Sequence, residues 1–448
     1  MEKSLDRKLR ILRANPSANE FILADAKDAD MAFGIGAPGA SPEMHAGEVR
    51  MRTLKEYRDL IREMTRQDLV DIMLMSASTS EVLTLKERLF DNSPVTPAAR
   101  ANDTSDIWVV RGGKYLADPA QPFRSASIDH IQCGRLECEP QERTAGANLG
   151  LYSVTFTNRT QEDLATLEAY REFRLEAERK GFRYFLEVFD PNVPTGLNPE
   201  QTGSFVNDSI ARCLAGVVGA GRPQFLKIVY RGPRAMEELF RYDPNLVVGI
   251  LGGSAGTTYD AFKLLAEAKK YGARVALYGR KINGAENQFA FVRFLRLVAD
   301  QVISPEEAVR AYHAVLEKLG IKPHRPLEKD MELQATATSY GGEKTKTTSV
   351  GGVNPDGSTA KAACPATKGG GCGCGCKRKK SDGAGATAGG AKPAVAPKKP
   401  LATMSASMTP EVAKATVAAP DVPASFGKMT SEERLAYHRA RIAKLLGG

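Results

Sequence analysis

The chain has 448 residues, 42% of them hydrophobic, with a formal net charge of +9, which is enough for one full-sized α/β domain plus extra material. No apolar run approaches the ~18 residues a bilayer span needs and no charged-then-apolar leader opens the chain, so neither membrane insertion nor secretion is expected and the expected location is the cytoplasm. Much of the basic excess sits in runs such as Lys377 to Lys380 and Lys398 to Lys399, which read as a solvated tail, so nucleic acid is not an expected partner.

In chain order, β-rich apolar runs alternate with amphipathic stretches from Glu20 to about Ile321. Strands are predicted at Phe21 to Ala24, Leu69 to Met75, Ile107 to Val110, Leu149 to Phe156, Tyr184 to Phe189, Phe225 to Tyr230, Leu246 to Leu251 and Arg274 to Tyr278. The clearest helical patterns are Gln161 to Lys180, Tyr259 to Tyr271, Gln288 to Gln301 and Pro305 to Leu319. Eight strands alternating with helices over about 300 residues predict a closed (β/α)8 TIM barrel spanning residues 1–330 rather than an open sheet. One connection, Lys114 to Gly146, is long and irregular, and predicts an excursion over the barrel mouth or a packing arm.

Residues 331–425 are rich in Gly, Ala, Thr, Lys and Pro without hydrophobic period, which predicts a disordered linker. Cys364, Cys372, Cys374 and Cys376 fall in it. They lack the paired C-x2-C spacing of structural zinc sites, so no metal is expected there. The scattered Cys133, Cys138 and Cys213 do not read as a secreted disulfide framework, and the five histidines show no ligand spacing. Order is predicted to return over residues 426–448, where Thr430 and Glu433 form a capping box and Leu435, Ile442, Leu445 and Leu446 share one helical face that wants a partner surface.

The strongest chemical signal is Phe225-Leu226-Lys227-Ile228-Val229-Tyr230. Apolar neighbours bracket one lysine that is expected to point into the barrel, where burial lowers an amine's pKa and leaves it free to attack a carbonyl. The alternative is a lysine snorkelling to solvent from a strand end. The last two strands run into Gly252-Gly253-Ser254 and Gly279-Arg280. Loops at those positions build the phosphate site of this fold, from backbone amides, a hydroxyl and a forked guanidinium. Asp71 and Ser76 either line the mouth or serve packing and turn closure.

In the Lys-Ile-Val-Tyr strand, the Gly-Gly-Ser loop and the closing Gly-Arg-Lys-Ile, residues 20–320 resemble the class I aldolases of the archaeal-type fructose-bisphosphate aldolase family, the DhnA/DeoC-like group. The resemblance implies that Lys227 forms a Schiff base with a phosphorylated sugar, needing no metal or organic cofactor. It further implies that Gly253, Ser254, Gly279 and Arg280 bind phosphate and that Asp25 is the acidic residue near the imine. Where the family often has aromatic-x-tyrosine, this chain has Glu187-Val188-Phe189. Phe189 has no proton to donate, so Glu187 is the candidate acid or base if it faces the barrel; otherwise it is a structural ion-pair partner.

A homo-oligomer is expected. The linker ending in an amphipathic helix resembles the encapsulation peptides of bacterial microcompartments, which implies shell proteins as partners through residues 429–448. The competing functional reading is a catalytically inactive TIM-barrel scaffold or binding protein that uses its C-terminal helix for protein interaction, favoured if Glu187 faces outward and Phe189 blocks the lysine.

Overall fold

The computed structural model describes residues 1–40, 51–253 and 256–334. The predicted linker with Cys364, Cys372, Cys374 and Cys376, the predicted helix at 426–448, and Ser254 lie outside the described residues.

Eight parallel strands close on themselves: β1 (Ile22–Lys27), β2 (Ile72–Met75), β3 (Thr96–Arg100), β4 (Leu149–Thr155), β5 (Arg183–Phe189), β6 (Leu226–Ile228), β7 (Gly249–Leu251) and β8 (Val275–Tyr278). Closure is made by β1 on β8, with Ile22 opposite Val275 and Asp25 opposite Tyr278. The expected TIM barrel is therefore the fold. Seven strands fall where the hydrophobic runs place them. The third does not: Ile107 to Val110 is a short 3-10 turn and loop, and the strand is Thr96-Pro97-Ala98-Ala99-Arg100. A proline and two alanines carry little β propensity, so tertiary pairing with β2 and β4 overrides the local signal.

Side chains alternate along each strand and divide the core in two. Ile22, Ala24, Ile72, Leu74, Ala98, Leu149, Leu151, Phe185, Phe225, Val275 and Leu277 form one buried cluster inside the barrel, with Phe185 stacked on Phe225 at 4.6 Å between ring centroids. Helix α1 (Ser4–Ala14) adds Leu5, Leu9 and Leu12 to that cluster and plugs the N-terminal end of the barrel. The intervening residues, among them Leu23, Met73, Ala99, Tyr152 and Ile250, pack outward against the helices.

Those helices include α2 (Leu54–Arg66), α3 (Thr160–Arg179), α4 (Pro199–Ala215), α5 (Pro233–Tyr242), α6 (Thr258–Lys270), α7 (Gln288–Ala299) and α8 (Pro305–Lys318). Capping boxes start α2, α4, α6 and α8, where a side-chain oxygen and the N3 side chain satisfy otherwise unpaired amides. The four helices predicted most clearly agree with α3, α6, α7 and α8 to within the usual uncertainty of helix ends.

The plugged end is fastened by charge. Lys8 reaches Asp71 at 2.8 Å, the same oxygen accepts the Leu23 amide at 2.9 Å, and Arg296 approaches it at 3.4 Å. Asp71 precedes β2, so it sits at the end opposite the strands' C-termini and does not line the mouth.

The excursion after β3 is ordered. Asp103–Thr104 pairs antiparallel with Pro122–Phe123, Trp108 stacks on Tyr115 at 4.9 Å, and the helix Ile128–Cys133 buries Ile128 and Ile131 in the outer core. Cys133 and Cys138 form a disulfide, a pairing the sequence reading did not anticipate. Among the described residues no helix is long and apolar enough to cross a membrane.

Candidate active site

Above the apolar plug, the next inward positions toward the C-terminal ends of β3, β4, β5 and β6 are polar. On β6 the alternation places Phe225 and Lys227 inward and Leu226 and Ile228 outward. On β5 it places Phe185 and Glu187 inward. The register sets Glu187 beside Lys227, and Lys227 Nζ meets Glu187 Oε1 at 2.5 Å, with both side chains buried. Ser153 on β4 donates to the other Glu187 oxygen at 2.7 Å. Arg100 on β3 extends the row, with Nη2 3.6 Å from Glu187 Oε2, Nη1 donating to Ser153 Oγ at 3.1 Å and Nε donating to Asp28 Oδ2 at 2.6 Å. A chain of alternating charge thus runs from β6 across β5 and β3 to the end of β1.

Two more carboxylates border this row. Asp103 Oδ1 lies 3.5 Å from Arg100 Nη1 and has no hydrogen-bond partner among the described residues. Burial pushes its carboxyl up to about 7; Arg100 works against that shift, while Asp28 and Glu187 add to it. Asp106 accepts from Thr104 and, at 3.0 Å, from Thr155 Oγ1. Burial raises its carboxyl too, and these hydrogen bonds partly offset the rise. Around Arg100, burial is outweighed by Asp28, Asp103 and Glu187, which hold the guanidinium above its ordinary value.

The ends of β5 and β6 are tied together by Arg231, whose Nε donates to Asp190 Oδ1 at 2.9 Å and whose Nη2 lies 2.8 Å from Oδ2. This two-point clamp fixes the backbone just beyond Lys227.

Asp25 is placed differently from the expectation. Ala24 and Ala26 face the barrel interior, so Asp25 and Lys27 lie on the opposite face of β1 with Leu23. There Asp25 Oδ2 pairs with Lys27 Nζ at 3.2 Å, both fully buried. Lys27 also donates to Asn283 Oδ1 at 2.5 Å and Gln288 Oε1 at 2.9 Å. Burial raises the Asp25 carboxyl and lowers the Lys27 amine, each opposed by the other's charge. The structure does not bring Asp25 to Lys227; Asp28, one full pleat beyond Ala26, is the β1 carboxylate that joins the inward row.

The predicted anion loops follow β7 and β8. The Gly252 amide donates to Leu277 O at 2.7 Å, so it belongs to the strand ladder. Its lack of a side chain accommodates the Tyr278 ring, which a Cβ would meet at 2.1 Å. Gly253 has φ +62° and open space where a side chain would be, so the loop turns there through a conformation that favours glycine. Arg280 follows Gly279 and lies over the Phe33 ring at 5.9 Å. Burial lowers its guanidinium from the ordinary value and the Glu187 carboxylate opposes that shift, which places Arg280 within the electrostatic reach of the inward row. Lys281 Nζ donates to Gly256 O at 2.7 Å and Thr257 O at 3.0 Å, joining the two loops. Among the described residues no group of three or more His, Cys, Asp or Glu side chains is arranged to hold a metal ion.

Sequence reasoning found Lys227, Glu187 and Arg280 but not Arg100, Asp28 or Asp103. The missed signals were the pleat running on from Ala24 and Ala26 to Asp28, and the arginine closing a strand whose composition hid it.

No family model matches the chain, and no curated protein matches it. Solved structures similar to it include an archaeal fructose 1,6-bisphosphate aldolase, at 14% identity and TM-score 0.46 over 65% of this chain and 98% of that one. An N-acetylneuraminate lyase from Fusobacterium nucleatum is similar at 11% identity and TM-score 0.35, over 67% and 82%. The YdjI aldolase from Escherichia coli K12 is similar at 11% and 0.32, over 72% and 97%. Likenesses this distant carry no argument about activity or substrate, which rests on the residues themselves.

Proposed function

We propose that the chain is a Schiff-base-forming aldolase acting on a phosphorylated sugar. The observation that carries this reading is Lys227 Nζ 2.5 Å from Glu187 Oε1, both buried and inward-facing at the end of the barrel where the β7 and β8 loops emerge. A carbon-carbon lyase of this kind needs an amine nucleophile and a proton carrier in contact with it.

The chemistry balances with these two groups. Glu187 takes a proton from the Lys227 ammonium, and the neutral amine adds to the substrate carbonyl to give a carbinolamine. Return of protons to its oxygen releases water and leaves the protonated imine. The substrate hydroxyl β to the imine then gives its proton to Glu187 while the carbon-carbon bond between them breaks. The electron pair of that bond moves onto the imine as an enamine, and the hydroxyl-bearing fragment leaves as an aldehyde. Reprotonation of the enamine carbon and hydrolysis restore the lysine. Arg100 and Ser153 hold the carboxylate through its second oxygen, which aims the first at the amine. Arg280 and the Gly253 turn supply the anion-binding side of the mouth. An outward-facing Glu187 would favour the inactive-scaffold reading, whereas Glu187 here faces inward beside Lys227.

Borohydride in the presence of a panel of phosphorylated ketoses and aldoses tests the proposal. A reduced adduct should form with the wild type and be lost in Lys227→Met, while Glu187→Gln should lower kcat by roughly 10²–10⁴-fold. Absence of any adduct across the panel, or equal trapping by Lys227→Met, would refute it.

A further inference from the structure

Across the mouth from the lysine lies a second feature that the imine chemistry does not use. A cleft of about 460 Å³ opens between the loops after β1 and β2 and the excursion helix, lined by Asp30, Ser76, Ser78, Glu81, Ser125 and His130 together with small apolar residues. β2 stands opposite β6 in the eight-stranded ring. The cleft adjoins the inward row: Asp30 is two residues beyond Asp28, and the charges of both act on Asp103.

Among the described lining residues hydroxyls predominate, and the carboxylates Asp30 and Glu81 stand with one imidazole, His130. Among the described residues no lysine or arginine lines the cleft. Glu81 is partly balanced by Lys86 at 2.8 Å, and the charge of Arg58 reaches Asp30, but neither base lines the cleft. Ser76 Oγ donates to Asp30 Oδ2 at 2.6 Å, whereas Asp30 Oδ1 is buried with no hydrogen-bond partner among the described residues. A buried acceptor left unpaired costs free energy that a donor from a ligand recovers. An unprotonated phosphate brings only acceptors and negative charge to such a place.

Resting on the aldolase reading, we propose that this cleft receives the hydroxyl-bearing end of the substrate farthest from its phosphate, so that the chain selects sugar monophosphates over bisphosphates. The two sides of the mouth are then chemically opposite: Arg280 and the Gly253 turn take the single phosphate, and Asp30 with its serine neighbours takes donors.

Alditol phosphates lack a carbonyl and cannot form an imine, so their binding tests the selection independently of catalysis. Calorimetry with glucitol 6-phosphate and glucitol 1,6-bisphosphate should show the monophosphate bound at least about tenfold more tightly by the wild type, because like charges facing each other at the second phosphate oppose binding. Lys227→Met should keep that ratio. Ser78→Arg and Ser125→Arg, at exposed positions on two walls of the cleft, should each narrow or invert it by supplying the missing cation. The inference is overturned if the wild type binds the bisphosphate as tightly as the monophosphate, if it binds neither, or if both arginine variants leave the ratio unchanged. Loss of borohydride trapping with the ratio intact would instead discard the imine reading and keep the cleft's selectivity.

Discussion

At the scale of single residues, the site is a set of charges that burial makes costly unless each has an opposite neighbour. Lys227, Glu187, Arg100 and Asp28 alternate in sign, and each link is between 2.5 and 3.6 Å. Asp103 is the member with least compensation, and its effect on stability has a definite sign. Its carboxyl titrates at about 7 in the folded chain against an ordinary 3.8. Between those values the folded chain holds a proton that the unfolded chain has released. The resulting stabilisation is full below about 4 and is lost as pH rises through about 7. Denaturant midpoints of the wild type and Asp103→Asn should therefore diverge with pH: the fall in stability between about pH 5 and about pH 8 should be smaller in the variant. Parallel pH dependence in the two proteins would contradict this account of Asp103. Lys227 was legible from sequence because one charge stood in an apolar strand. Arg100 and Asp103 were not, because they gain meaning only once β3 and the hairpin that follows are in place.

Elements position these residues through contacts that no local pattern records. Lys27 is the main example: from the outer face of β1 it binds Asn283 and Gln288, holding the short segment Arg280–Asn283 that carries the guanidinium proposed to bind phosphate. Arg52 supports the same segment through the Asn283 carbonyl at 3.2 Å. Lys27→Met should thus raise KM for a phosphorylated substrate by roughly tenfold with a much smaller change in kcat, since a displaced Arg280 weakens positioning rather than the imine step. Steady-state kinetics with an unchanged KM would show that the segment holds without this lysine. Periodicity exposed seven of the strands and four of the helices, where burial on one or both faces dictates composition. It failed at β3, where pairing with β2 and β4 holds Pro97, Ala98 and Ala99 in the sheet despite their weak strand propensity. The α1 plug escaped for a related reason: its apolar face is recognisable only against an open barrel end.

For the whole molecule, alternation of strand and helix predicted the closed barrel and placed the lysine and the two glycine-bearing loops at the same end, because parallel strands all finish on one face. Distance across the mouth was not legible, and neither was the acidic cleft, which is built from three separate connections. Outside the described residues, the amphipathic pattern at 429–448 supports a further proposal, that this segment recruits the chain to microcompartment shell proteins. Deleting residues 429–448 should leave turnover unchanged and abolish co-purification with shell proteins, whereas retained co-purification would count against it. Imine formation rests on one nitrogen, which peptide mapping of the borohydride-reduced adduct can locate. If Lys227 forms the imine, the substrate-derived mass falls on the peptide containing Lys227 and on no other. The same mass found on the peptide containing Lys27, or distributed over surface lysines, would contradict it.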